Sequence, residues 1–125
     1  MLCLKSGRNE DAWDVGRACE NVVIRNCRGV GECQSGGIVI GSEMSGSVRN
    51  ILAHDCEFDN NVNCFRIKSK DGRGGVVENI EYRNLRLKTG LRGINLSFRY
   101  SCEKTEVTAI NAPNKKQSFF MVCFF

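Results

Sequence analysis

The sequence contains few of the residues and runs that mark several common classes of protein. It has one proline, one tryptophan and one histidine, His54, among 125 residues, so neither a zinc site nor a Ser/His/Asp arrangement is predicted. No stretch approaches the roughly 20 consecutive apolar residues of a membrane-spanning helix, and the first residues lack the features of a signal peptide. The longest basic run is Lys115-Lys116, and the net charge is only +4. We therefore expect no membrane partner and no nucleic-acid partner.

Glycine is abundant where proline is scarce. The chain has thirteen glycines, as expected of a chain with many tight turns that still needs its backbone N–H donors. Its 42% of hydrophobic residues is enough for one domain, and its 26% of charged residues is ordinary. The eight cysteines are many for this length and need an explanation.

An internal repeat accounts for some of these cysteines. Residues 21–27, 50–56 and 79–85 share one pattern, which begins with Asn and recurs every 29 residues. Stacked copies predict a ladder in which the side-chain amides of these asparagines hydrogen-bond to one another. Cys27 and Cys56 occupy the repeat position taken by Leu85. Because free cysteine is among the most buried residue types, we expect both to be core residues rather than a disulfide.

A second series of short segments alternates with the first. Residues 2–6, 38–42, 65–69 and 94–97 each alternate apolar and other residues, as half-buried strands do. Two interleaved series with nearly the same period predict an all-β solenoid of about four coils whose strands form parallel sheets. Residues 1–112 are assigned to this β-helix domain and residues 113–125 to an apolar tail, either a strand on an end coil or foreign sequence. No capping element is predicted, which suggests a fragment.

Several short segments of the repeat resemble motifs of a known family. Residues 36–46 are similar to the signature of glycoside hydrolase family 28, the polygalacturonases. Residues 5–7 (Lys-Ser-Gly), 66–68 (Arg-Ile-Lys) and 72–75 (Gly-Arg-Gly-Gly) resemble further elements of that family. The likeness covers residues 2–90 and fades from about residue 91.

The resemblance implies a fold and a function. It implies a right-handed, single-stranded parallel β-helix that cleaves the α-1,4-galacturonosyl bonds of pectin with inversion, using aspartates and no cofactor or metal. Arg66 and Lys68 match the substrate-binding element and would grip galacturonate carboxylates of polygalacturonate. A member of the family would be secreted or periplasmic, and we expect a monomer.

The sequence also departs from the family pattern. The family's aspartates would fall ahead of Met1, and the resemblance places Ser35 where the family has a histidine, so this chain is expected to be inactive alone. Glu43 is interpreted as a buried, structurally satisfied residue rather than a general acid. Asp11 and Asp14 lie in a predicted loop with Trp13, which either flanks a sugar-binding cleft or is an ordinary exposed loop anchored by its tryptophan.

Three functional alternatives stay open at this point. The chain derives from a pectin-active hydrolase and keeps part of its groove, or it is a non-catalytic module that binds acidic polysaccharide. In the second case Arg73 would add to the affinity supplied by Arg66 and Lys68. The third alternative is a structural fragment that does not fold alone, because uncapped stacks expose unpaired strand edges.

Overall fold

The computed structural model describes residues 1–99 and 119–124. It contains one short helix and eleven strands, whose bounds are β1 (Leu2–Leu4), α1 (Asn9–Val15), β2 (Cys19–Arg25), β3 (Arg28–Cys33), β4 (Ile38–Gly41), β5 (Val48–His54), β6 (Glu57–Asn61), β7 (Asn63–Lys68), β8 (Val76–Arg83), β9 (Arg86–Leu87), β10 (Arg92–Ser97) and β11 (Phe119–Phe124).

These strands form three sheets that run along the stack. The first sheet has the order β1-β4-β7-β10, the second β2-β5-β8 with β11 beyond β8, and the third β3-β6-β9. Every pairing is parallel except that of β11 with β8. Each of the first three coils therefore contributes one strand to each sheet, and β10 of the fourth coil extends the first sheet, which is the predicted all-β solenoid.

The core lies between the sheets and is built from stacked columns of apolar side chains. Ile38 pairs with Phe65, and Ile40 pairs with Ile67, and all four are at most 1% exposed. The ring of Phe65 also packs against Tyr82 of the second sheet, with ring centroids 4.0 Å apart. Each fully buried side chain of this size contributes about 1.5–3 kcal/mol to the free energy of unfolding.

The third sheet was not predicted from the sequence. Its strands are short, but they keep the 29-residue period, since Gly29 pairs with Phe58 and Phe58 with Leu87. The Phe58 ring is 2% exposed and fills space left by two glycines. A Cβ atom would come within 2.8 Å of the ring at Gly29 and within 2.4 Å at Gly37.

The predicted asparagine ladder is confirmed. Asn50 donates from Nδ2 to Oδ1 of Asn21 and accepts from Nδ2 of Asn79, both at 3.0 Å. All three residues have left-handed φ values between 53° and 58°, a conformation that asparagine tolerates better than most residues. Each coil therefore bends at its asparagine while the side chain links it to the next coil.

A second polar column bends the coils again a few residues later. Asn26, Asp55 and Asn84 have φ values of 53°, 53° and 48°, and Asn84 donates to Asp55 across 2.5 Å. Asp55 therefore has a structural role in linking these coils. The next residues, Cys27 and Cys56, are free thiols that pack with the core, also as predicted.

The apolar tail is described only over its last strand. β11 pairs antiparallel with β8, with Phe119 opposite Tyr82 and Phe124 opposite Val76. β11 thus extends the second sheet beyond β8. The predicted domain boundary after residue 112 lies outside the described residues.

The prediction that Asp11, Trp13 and Asp14 lie in a loop was wrong, because they lie in α1. Asn9 donates its backbone N–H to Oγ of Ser45 in the next coil at 2.8 Å, which satisfies a donor at the start of the helix. Gly16 ends the helix in the left-handed conformation, with φ 59°, and its N–H bonds the Ala12 carbonyl at 3.0 Å. A helix of seven residues is too short to show a periodic pattern, and it depends on tertiary contacts of this kind.

Candidate functional site

The two cations predicted to bind substrate project from one face of the first sheet. Phe65 and Ile67 of β7 are buried in the core, at 1% and 0% exposure. Because side chains alternate along a strand, Arg66 and Lys68 point away from the core. Their Cα atoms are about 6.6 Å apart, two residues along an extended strand. The predicted juxtaposition of these two side chains is therefore present in the structure.

The neighbours of these cations in the sheet are small or uncharged. Arg66 pairs with Val39 on one side and Asn95 on the other, and Lys68 lies between Gly41 and Ser97. Gly41 is required at this point, because a Cβ atom there would come within 2.2 Å of the Lys68 carbonyl oxygen, and its φ is 85°. The sheet places Arg66 and Lys68 side by side with no acidic residue among these paired neighbours.

The connections that leave the carboxyl ends of the first-sheet strands pack together beside Lys68. Gly7 forms a β-bridge with Met44, and Oγ of Ser69 donates to Sδ of Met44 across 3.5 Å. Ser45 donates its N–H to the Gly7 carbonyl at 3.1 Å. Since Ser69 directly follows Lys68, the segment that contains α1 is brought to the same edge of the sheet.

Trp13 and Arg73 meet at this edge. Trp13 is 46% exposed, and its Nε1 donates to the Arg73 carbonyl across 3.3 Å. Arg73 is 4% exposed, and its Nη1 donates to Oδ1 of Asn9 across 2.9 Å. The guanidinium of Arg73 is thus committed to holding α1, which argues against its predicted role in binding polymer.

The prediction that Glu43 is buried was wrong. Its side chain is 43% exposed and forms an ion pair with Lys5, Nζ to Oε2, at 2.7 Å. The hydrogen bond and the charge of Lys5 lower the pKa of Glu43, with a smaller contribution from Arg73 and Arg8. A carboxyl group with a lowered pKa is ionised near neutral pH and cannot act as a general acid there. The turn that contains Glu43 places this carboxylate next to Lys5 of the preceding coil. The residues around Glu43 in the sequence do not indicate that contact.

Ser35 lies away from the cations. Its carbonyl accepts a hydrogen bond from Nδ2 of Asn63 at 2.8 Å, and Asn63 begins β7 while Lys68 ends it. Five residues of strand place these two points about 16 Å apart. Asp11 and Asp14 are exposed on α1, in the segment that packs at the same edge of the sheet.

The remaining reactive side chains lie in other parts of the fold. His54 ends β5 of the second sheet, where its Nδ1 lies 2.7 Å from Oδ2 of Asp55. Burial raises the pKa of the Cys64 thiol to about 12, and burial also raises the pKa of Cys56. Within residues 1–99 and 119–124, no three His, Cys, Asp or Glu side chains are grouped closely enough to hold a metal ion, and no helix there is long and apolar enough to cross a membrane.

Comparisons with known proteins identify the class and then the family. A solved structure, a hyperthermoactive exopolygalacturonase from Thermotoga maritima, matches 86% of this chain with a TM-score of 0.70 and 31% sequence identity. This match confirms the right-handed parallel β-helix. The sequence model described as Glycosyl hydrolases family 28 matches residues 7–117. The chain belongs to glycosyl hydrolases family 28.

A curated relative agrees with this assignment. A probable polygalacturonase from Vitis vinifera is 35% identical over 88 residues, which are 70% of this chain. The chain spans 18% of the length of that relative and 24% of the length of the Thermotoga structure. The family match continues to residue 117, so the likeness extends beyond residue 91, where the sequence motifs alone stop showing it.

Proposed function

We propose that this chain is part of a polygalacturonase-type hydrolase and contributes one section of a groove for α-1,4-linked galacturonate. The observation that carries the proposal is the pair of cations, Arg66 and Lys68, on the outward face of β7. The two relatives named above are polygalacturonases, whose substrate is a polymer with one carboxylate on each sugar. The regularly spaced negative charges of such a polymer are complementary to a short row of positive charges on a sheet.

The two cations suit carboxylates in different ways. The guanidinium of Arg66 can bind both oxygens of one carboxylate through parallel N–H donors, whereas the Lys68 ammonium is a point charge with three donors. At about 6.6 Å between their Cα atoms, they can hold one carboxylate between them or two on successive sugars. Hydrogen bonds to charged groups contribute about 1.5–3 kcal/mol each, so binding depends on both residues.

We further propose that the chain alone does not hydrolyse its substrate. Inverting glycosidases need two carboxyl groups roughly 6.5–9.5 Å apart, one as acid and one as base. None of the four strands of the first sheet contains Asp or Glu over their described lengths. Glu43, the acidic residue that follows β4, is paired with Lys5 and ionised. Cleavage with inversion would therefore need acids from elsewhere in a longer family member.

The binding proposal is tested by titrating the chain with oligogalacturonates at low and high salt. We expect salt-sensitive binding that weakens about tenfold or more in Lys68→Ala, as expected for the loss of one charge-assisted contact. Arg25→Ala is the matched control, because it removes the same charge from an exposed position of the second sheet. Lack of binding at low salt, or equal weakening by both substitutions, would contradict the proposal.

The inactivity proposal is tested by measuring reducing sugar released from polygalacturonate. We expect no release above the level seen with Lys68→Ala. Release that disappears in Lys68→Ala would show that the chain is active alone and that the acids lie within it. Binding without release agrees equally with a non-catalytic polysaccharide-binding module. A chain that carries further sequence ahead of Met1 distinguishes the hydrolase from the binding module. Cleavage of the polymer by that chain favours the hydrolase.

A further inference from the structure

The only tryptophan of the chain is held in place and yet remains open to solvent. Trp13 is 46% exposed. Large aromatic side chains contribute most when they are buried, and an exposed one that is also fixed suggests a contact surface. A partly exposed ring can be a contact surface for a ligand or can simply fix α1 to the fold. The contacts of the ring distinguish these two roles.

The polar edge of the indole is fixed by the connection that follows β7. Nε1 donates to the Arg73 carbonyl across 3.3 Å, and the ring lies directly against Gly74. A Cβ atom at Gly74 would come within 2.7 Å of Nε1 and within 3.2 Å of Cζ2, so any larger residue would push the ring away. The left-handed φ of 64° at Gly74 is a second reason for glycine at this position.

The peptide that receives this hydrogen bond is itself fixed. Arg73 is 4% exposed, and its guanidinium donates to Oδ1 of Asn9 at 2.9 Å. Asn9 begins α1, and its N–H is bonded to Ser45 of the intervening coil at 2.8 Å. α1 and the connection after β7 thus hold each other, and the orientation of the ring is set before any ligand binds.

The ring contacts the segment that follows the proposed groove along the chain. Lys68 is the last residue of β7, and Trp13 contacts Arg73 and Gly74, five and six residues further along the same connection. Six residues of chain span at most about 20 Å, the length of a short oligosaccharide. A sugar chain whose carboxylate is bound at Lys68 can therefore extend over α1 within a few sugar units.

We propose that Trp13 is a stacking platform for a galacturonate ring of the chain that is bound at Lys68. Galacturonate carries several C–H bonds on one face of its ring, and such an apolar face packs against an aromatic side chain. The platform would make the site prefer oligomers to the monosaccharide, because a longer chain can contact Trp13 in addition to Lys68. This inference rests on the proposed function and assigns a specificity-determining role to Trp13.

The test uses the intrinsic fluorescence of the single tryptophan. The unmodified chain is titrated with galacturonic acid and with oligogalacturonates of increasing length, while calorimetry measures binding independently of fluorescence. We expect oligomers above a minimum length to shift the emission of Trp13 and to bind more tightly than the monosaccharide. A Lys68→Ala chain should lose both the binding and the emission shift.

Two substitutions separate stacking from anchoring. Trp13→Phe keeps an aromatic face but loses the hydrogen bond to the Arg73 carbonyl, and we expect oligomer affinity within about threefold of the parent. Trp13→Ala removes the face, and we expect affinity to fall about tenfold, a loss typical of an aromatic contact surface. Urea unfolding of both variants, followed by circular dichroism, reports their stability separately from binding.

The outcomes distinguish this inference from the proposed function. Oligomer binding that depends on Lys68 but leaves Trp13 emission and Trp13→Ala affinity unchanged would overturn the platform and leave the groove intact. Equal loss of affinity in the Phe and Ala variants, together with equal loss of stability, would show that Trp13 only anchors α1. Absence of any oligomer binding would overturn both proposals.

Discussion

Replacing the central residue of the asparagine ladder tests why the coils bend at asparagine. Asn50 makes two side-chain hydrogen bonds, one to Asn21 and one from Asn79, both 3.0 Å long. These bonds are exposed, so each contributes about 0.5–1 kcal/mol to the free energy of unfolding, the lower half of the usual range. The left-handed φ of 53° adds about 1–2 kcal/mol for any residue with an ordinary Cβ atom. Asn50→Ala should therefore destabilise the chain by about 2–4 kcal/mol.

The two contributions are separable by a matched substitution at the same position. Asn50→Gly removes both hydrogen bonds but tolerates the left-handed backbone, so it should cost about 1–2 kcal/mol less than Asn50→Ala. Urea unfolding followed by circular dichroism measures the difference as a shift in midpoint at constant slope. Equal midpoints for the Ala and Gly variants would refute the backbone argument. A cooperative transition in the unmodified chain would also argue that it folds alone.

Two further substitutions test packing and electrostatics. Gly37→Ala would place a Cβ atom within 2.4 Å of the Phe58 ring, and we expect a loss of about 1–3 kcal/mol in urea unfolding that Phe58→Leu partly restores. Additive losses in the double variant would contradict this contact. Lys5 lowers the pKa of Glu43 in the folded chain, so their ion pair stabilises the fold above the unfolded pKa and is lost as pH falls through the folded pKa. Glu43→Gln should therefore lower stability at pH 7, by less than about 1 kcal/mol because the pair is exposed, and by a smaller amount at pH 3. A loss of the same size at both pH values would count against the ion pair.

Most of the fold was predictable from the repeat in the sequence. A 29-residue period places Asn21, Asn50 and Asn79 in one column, and the structure joins their amides in the predicted ladder. A periodic pattern is informative here because each coil contacts only its neighbours, so one spacing fixes the register of the whole stack. Alternation along a strand is equally local, so the spacing of Arg66 and Lys68, two residues apart, is enough to place them on one face.

The features that the sequence did not predict depend on contacts between coils. Glu43 was expected to be buried and satisfied within its own turn, but its partner Lys5 belongs to the preceding coil, 38 residues away. The third sheet was not predicted because its apolar column is incomplete. Gly29 of the first strand occupies the position that Phe58 and Leu87 occupy in the next two strands. A glycine carries no hydrophobic signal, although here it makes room for a neighbouring ring.

The candidate site shows how a solenoid assembles a surface from distant segments. The connection between β4 and β5, residues 42–47, lies between the connections of the first and third coils, because Ser45 bonds Gly7 and Met44 accepts from Ser69. The connections of the first and third coils also meet each other, since Trp13 contacts Arg73, 60 residues away. Lengthening the 42–47 connection would separate the two segments and expose the Arg73 guanidinium. The position of the exposed ring therefore depends on the length of the 42–47 connection, which lies 25 or more residues from Trp13 in the sequence.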